Sequence, residues 1–189
     1  MLDKSIPYAR VIMKRQPGTP VPAAGLPAGY SFEYYRDGDE LAWGIIEASV
    51  AEFEHAEEAT LYFRENYVPY ATEVSRRTLF IRNEAGNKVA TFTAWWNYTG
   101  NRRYPFMHWV AVMPRYQGLG LGRAIVAQGV QRMIELEGDC TMYIPTQTWS
   151  HKAIRLYRWA GFEPVLDEAA PGGFENQTAR ALTLIGHLL

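Results

Sequence analysis

Apolar and polar residues change rhythm several times along the chain, and each change predicts an element. The opening IPYARVIMKR has strand-like spacing. RQPGTPVPAAGLPAG follows, with four prolines and three glycines from Arg15 to Gly29, and reads as an irregular surface connection. YSFEYY alternates and predicts the first strand of the main sheet. Leu41, Ile45, Ile46 and Val50 stand at helical spacing behind Asp39, a candidate cap. HAEEATLYFRENY predicts a second amphipathic helix closed by Pro69. TLFIRNEAGNKVATFTAWWNY predicts a hairpin around Glu84–Asn87. FMHWVAV is a short strand ending at Met113-Pro114. Ile125, Val126, Gly129, Val130, Met133 and Ile134 form one apolar stripe on a helix that stops near Gly138. CTMYIPTQ is a strand broken by Pro145. Ser150 can cap a helix whose inner face is Ala153, Ile154, Tyr157 and Ala160, with Gly161 as its stop. FEPVL and TARALTLIGHLL predict two last strands.

This order gives an α/β fold: a mixed sheet with helices on its faces. At 189 residues, 48% apolar and 21% charged, the chain suits one globular domain. Residues 1–29 hold the N-terminal strand and the Pro/Gly connection, and residues 30–77 the next strand and two helices. Residues 78–166 form the core, and residues 167–189 the C-terminal strands. A net charge of −1 offers no field for nucleic acid or anionic lipid. Cys140 is the only cysteine, so no intrachain disulfide forms. The first residues lack the pattern of a signal peptide, and no apolar run approaches the roughly 20 residues of a membrane span. A cytoplasmic protein is expected.

The stretch VAVMPRYQGLGLGRAIV carries the chemistry. Three glycines alternate with two leucines between a strand and a helix. No Gly-Lys-Ser/Thr occurs, which excludes a P-loop. Neither register of the glycines completes Gly-x-Gly-x-x-Gly, which excludes the dinucleotide fingerprint. A glycine loop opening a helix remains. Its free N–H groups and the helix dipole suit a phosphate, and Arg115 and Arg123 flank it. The alternative is a turn whose glycines serve packing alone.

Gln117-Gly118-Leu119-Gly120-Leu121-Gly122 resembles the Gln/Arg-x-x-Gly-x-Gly/Ala signature of the GNAT acyl-CoA N-acyltransferase superfamily. Val112-Met113-Pro114-Arg115-Tyr116 looks like that family's strand end. Ser150 to Phe162 is similar to its Asn-x-x-Ala-x-x-x-Tyr-x-x-x-Gly-Phe pattern, in the family's order and spacing. The matched core covers about residues 78–166.

The resemblance implies a GNAT fold, a mixed and mostly antiparallel sheet flanked by helices, and acetyl-CoA as co-substrate. Gln117, Gly118, Leu119, Gly120, Leu121, Gly122 and Arg123 would hold the pyrophosphate. Val110, Ala111 and Val112 would bond the pantetheine arm. Ser150 stands where the family has an Asn that contacts the coenzyme. Tyr157 occupies the general-acid position, although periodicity alone makes it a core tyrosine. The Glu that serves some members as base is here Pro145. Arylalkylamine N-acetyltransferases carry a His where His108 stands, and strand alternation puts Phe106, His108, Val110 and Val112 on one face. A buried structural histidine is the other reading. Glu33 is an alternative base if its strand crosses the cleft. His151 is expected to face solvent, and Cys140 to be a small buried hydrophobe.

Trp43, Trp95, Trp96, Trp149, Tyr34, Tyr35 and Tyr98 are a heavy aromatic load, suited either to core packing or to an aromatic, hydrophobic or cationic amine. Trp95 and Trp96 would point to opposite faces of a strand. The expected activity is acetyl transfer from acetyl-CoA to a primary amine of a small molecule. A protein or peptide amine and a non-catalytic acyl-CoA-binding module are the alternatives. No nucleic acid, membrane or metal is expected as a partner, and the chain would be a monomer or homodimer.

Overall fold

The computed structural model describes residues 2–189. Seven strands are β1 (Arg10–Arg15), β2 (Tyr30–Tyr34), β3 (Thr78–Asn83), β4 (Lys88–Thr99), β5 (Arg102–Val112), β6 (Met142–Gln147) and β7 (Glu163–Pro164). Six helices are α1 (Glu40–Ser49), α2 (Ala56–Asn66), α3 (Ala71–Arg77), α4 (Leu121–Glu137), α5 (His151–Trp159) and α6 (Thr178–Ile185). The sheet order is β2-β3-β4-β5-β6-β1-β7, mixed and mostly antiparallel. The chain divides into two compact units, and β4, β5 and α4 each contribute to both.

The first unit contains residues 23–93 and 109–129. β2 pairs with β3 and β3 with β4, and Thr78 and Thr93 hydroxyls meet at 3.1 Å across the β3–β4 pair. Phe80, Ile81 and Phe92 are fully buried. A Cβ on Gly129 of α4 would stand 2.5 Å from the Phe92 ring, so only glycine lets that helix lie so close to β4. α1 and α2 pack as a pair behind Trp43, Ile46, Ala59 and Phe63, all fully buried. Asp39 precedes α1 without capping it. Its carboxylate accepts from Arg36 N–H at 2.8 Å and pairs with Lys88. α3 is a third helix where two were expected; with only Val74 and Arg77 buried, its seven residues carry almost no periodic signal.

The second unit contains residues 2–22, 94–108 and 130–189. β1 lies between β6 and β7, antiparallel to both, so this strand belongs to the sheet and YSFEYY is not the sheet's first. Pro145 does not break β6; it pairs with Ile12. β5 runs parallel to β6 with Phe106 opposite Tyr143. The C-terminal segment is a helix rather than a strand: Thr178, Ala181 and Ile185 are its buried face. Its first residues tie it to β1, where Ile12 N–H donates to Thr178 Oγ1 at 2.9 Å and Arg10 N–H to Gln177 Oε1 at 3.0 Å.

Candidate functional site

In the first unit, β5 ends at Val112 and the chain turns through a short 3-10 segment, Pro114–Tyr116, before α4 begins at Leu121. Gln117 Nε2 donates to Val112 O at 2.9 Å and ties the turn to the strand end. Met113 N–H donates to Val89 O at 2.9 Å. Gly118 and Gly120 have φ of +82° and +87°, a backbone that β-carbons disfavour, and nothing lies within 4 Å of where those carbons would stand. Packing therefore does not explain these two glycines. Among the described residues, the N–H groups of Gly118, Leu119 and Gly120 donate to no backbone carbonyl; Ala124 N–H is the first to do so, to Gly120 O at 3.1 Å. The first-turn N–H groups of α4 lack partners by helix geometry. The result is a solvent-facing row of amides at a helix N-terminus, with Arg115 and Arg123 exposed beside it.

Within β5, Trp109 has φ of +51°, a left-handed conformation rare for a bulky side chain. It interrupts the pleat, so the alternation expected across residues 106–112 is not continuous. Its indole N–H donates to Tyr67 Oη at 2.7 Å.

In the second unit, His108 is partly buried, its ring 5.9 Å from that of Phe106. Burial pushes its pKa down to about 4. Tyr157 lies on the inner face of α5, 5% exposed, with Ile154 and Ala160. Ser150 stands at the N-cap of α5 but makes no side-chain cap bond, contrary to expectation. His151 is buried rather than solvent-facing. The N-terminal residues cover this corner: Asp3 N–H donates to Trp149 O at 2.9 Å, Thr148 Oγ1 to Pro7 O at 2.8 Å and Trp149 Nε1 to Ile6 O at 2.7 Å. Burial lowers the His151 pKa, offset in part by Asp3. Cys140 is only partly buried, and burial with Glu137 and Asp139 raises its pKa, the opposite of an activated thiol.

The model of the acetyltransferase (GNAT) family matches residues 42–162. The chain belongs to the GNAT acetyltransferase family. Solved structures agree on the fold. A GCN5-related N-acetyltransferase from Sphaerobacter thermophilus superposes with a TM-score of 0.64 at 20% identity, over 85% of this chain and 49% of that one. A tandem GNAT protein from the clavulanic acid biosynthesis pathway gives 0.60 at 22% identity, over 84% and 50%. A GCN5-related N-acetyltransferase from Kribbella flavida gives 0.55 at 22% identity, over 82% and 55%. The chain thus spans about half the length of these structures. An uncharacterised protein of Mycobacterium leprae is 34% identical over 59 residues, which is 31% of this chain and 15% of that protein.

Several residues weighed for the acceptor side of a GNAT site have other duties here. Glu33 pairs with Arg36 at 3.4 Å and Lys88 at 3.5 Å. Trp95 and Trp96 do not diverge; their rings stack at 4.2 Å. Trp43 is wholly buried. Two features escaped the sequence reading: the left-handed Trp109, and Glu47, a carboxyl buried on α1. No residue pattern announces the first. The second shares a helical face with Trp43, four residues earlier, which is its only sequence signal. No helix among the described residues is long and apolar enough to cross a membrane, and no group of three or more His, Cys, Asp or Glu is placed to hold a metal.

Proposed function

We propose that this GNAT protein is an acetyl-CoA-dependent N-acetyltransferase acting on the primary amine of a small molecule. The observation that carries the reading is the turn at residues 118–120, where two left-handed glycines hold unbonded amides in solvent at a helix N-terminus. Such a turn fits the diphosphate of a coenzyme: the N–H groups donate, the dipole favours the charge, and no side chain obstructs approach. Gln117 keeps the turn in place, and Arg123 and Arg115 add charge-assisted bonds. In this reading the backbone of Val110, Ala111 and Val112 holds the pantetheine arm, and Ser150 offers its uncapped hydroxyl to the coenzyme.

Acetyl-CoA supplies an activated acyl carbon and a thiolate leaving group. The remaining tasks are proton transfers. Tyr157 donates its hydroxyl proton to the leaving sulfur. Burial pushes the His108 pKa down to about 4, which favours the neutral imidazole. It can accept a hydrogen bond from the amine. It is a poor proton store: moving a proton to it from an alkylammonium of pKa near 10 is uphill by roughly 8 kcal/mol.

Two assays test the reading. Calorimetry with acetyl-CoA should show one site per chain, and absence of binding would overturn the proposal. Thiol release over a panel of amines should then show turnover. Tyr157→Phe should lower kcat by roughly ten- to ten-thousand-fold while leaving acetyl-CoA affinity unchanged; an unchanged kcat would remove Tyr157 from the chemistry.

A further inference from the structure

The turn at residues 118–120 is not held by packing of its own. Gln117, Gly118, Leu119 and Gly120 are all exposed, and nothing lies within 4 Å of where a β-carbon on Gly118 or Gly120 would stand. Two left-handed glycines also leave the backbone many alternatives to the observed path. The anchors lie at either end. On the helix side, Leu121 is 1% exposed. On the strand side, Tyr116 is half-buried, while its neighbours Pro114 and Arg115 are exposed.

Tyr116 is fixed from β3. Its hydroxyl oxygen accepts from Asn83 Nδ2 at 3.1 Å. Asn83 is the last residue of β3, and its remaining polar groups serve the β3–β4 turn. Asn83 Oδ1 accepts from Asn87 N–H at 2.9 Å, Asn83 N–H donates to Asn87 O at 3.0 Å, and Gly86 N–H donates to Asn83 O at 2.9 Å. Because Oδ1 accepts from a backbone N–H, the orientation of the amide is decided, and Nδ2 is the atom that faces Tyr116. One side chain thus closes a hairpin with its oxygen and holds Tyr116 with its nitrogen. Tyr30, opposite Asn83 in the β2–β3 register, sets its ring edge-on to Tyr116 at 6.4 Å. The Arg115 guanidinium lies over the Tyr116 ring at 4.8 Å. All of these residues belong to the first unit.

We propose that Asn83 is a positioning residue for the coenzyme, acting through Tyr116 to hold the amides of residues 118–120 in the curve that a diphosphate fills. This rests on the acetyltransferase reading and names what prepares its binding turn. Asn83 needs no contact with the coenzyme, because the bond works before the ligand arrives. Without it Tyr116 is free to turn, and the exposed glycines after it sample shapes whose amides diverge. Apparent affinity then falls with the fraction of molecules whose turn is correctly shaped. A turn already in shape avoids that ordering cost at binding.

The test measures acetyl-CoA affinity by calorimetry for the wild type, Tyr116→Phe, Asn83→Ala, Asn83→Asp and the double variant Tyr116→Phe/Asn83→Ala. Tyr116→Phe removes one oxygen and keeps the ring; it should weaken binding by roughly five-fold, the scale of one hydrogen bond. Asn83→Ala also opens the hairpin turn and should weaken binding at least as much. The double variant should bind no worse than Asn83→Ala alone, because both changes break the same bond. Asn83→Asp should stay within about two-fold of the wild type, since one carboxylate oxygen accepts from Asn87 N–H and the other from the Tyr116 hydroxyl. A purely structural role would lower Tm in these variants without moving Kd. Unaltered affinity in Tyr116→Phe, losses that multiply in the double variant, or no rescue by Asn83→Asp would overturn the proposal and leave the acetyltransferase reading standing. Failure of the wild type to bind acetyl-CoA would remove both.

Discussion

The glycine turn and the carboxyl of Glu47 both present polar groups without partners, one in water and one out of it. The amides of Gly118, Leu119 and Gly120 face solvent. Water satisfies them, so keeping them open costs little until an anion replaces the water. Glu47 is buried at 1% exposure, and its orphan oxygen weighs on the fold. The comparison teaches that the same lack of a partner costs little in water and much out of it.

Substitutions can break this comparison. The largest effect belongs to Gly120→Glu. It forces a side chain onto a φ of +87° and sets a carboxylate beside the open amides that the proposed function assigns to phosphate. Affinity for acetyl-CoA, measured by calorimetry, should fall on the order of a hundred-fold, equivalent to about 2.7 kcal/mol, with little change in acceptor binding.

Glu47→Gln sharpens the other half through stability. A carboxyl whose native pKa is raised is favourable below its unfolded value, near about 4.3, and loses that advantage as pH rises toward the native value. The variant cannot ionise. Its Tm should match that of the wild type near pH 4 and exceed it near pH 8, by about 2–4 °C for each kcal/mol of relief. A gap that widens toward low pH would show the carboxyl to be satisfied and ionised. The smallest effect is expected of Arg115→Ala. Arg115 is exposed and rests over the Tyr116 ring at 4.8 Å, so acetyl-CoA affinity should drop only a few-fold at low salt and not at all at 0.5 M.

Much of this was legible in the residues, for physical reasons. The β3–β4 hairpin showed through the turn residues Glu84–Asn87 between two apolar runs and β1 through its own short apolar run, and the structure buries these runs; α4 and α5 showed through apolar stripes. The glycine turn was legible because its composition has few other uses. The last helix replaces an expected strand: five of the eight residues Thr-Ala-Arg-Ala-Leu-Thr-Leu-Ile are the helix formers Ala, Arg and Leu, and the spacing of Thr178, Ala181 and Ile185 is helical throughout. Burial of His151 could not be foreseen, since it is the distant N-terminal residues that cover it. Glu47 was silent because a glutamate between Ile46 and Ala48 reads as a solvated position on any helix. Its helix neighbour Trp43 packs against rings arriving from α2 and β5, which no local window contains.

The most direct test of the central claim is amide hydrogen exchange at residues 118–123, with and without acetyl-CoA. Exchange should be fast in the free protein and slow markedly when the coenzyme is bound, while amides of β3 remain unchanged. Amides that are already protected in the free protein, or that exchange equally fast at saturating acetyl-CoA, would contradict the account.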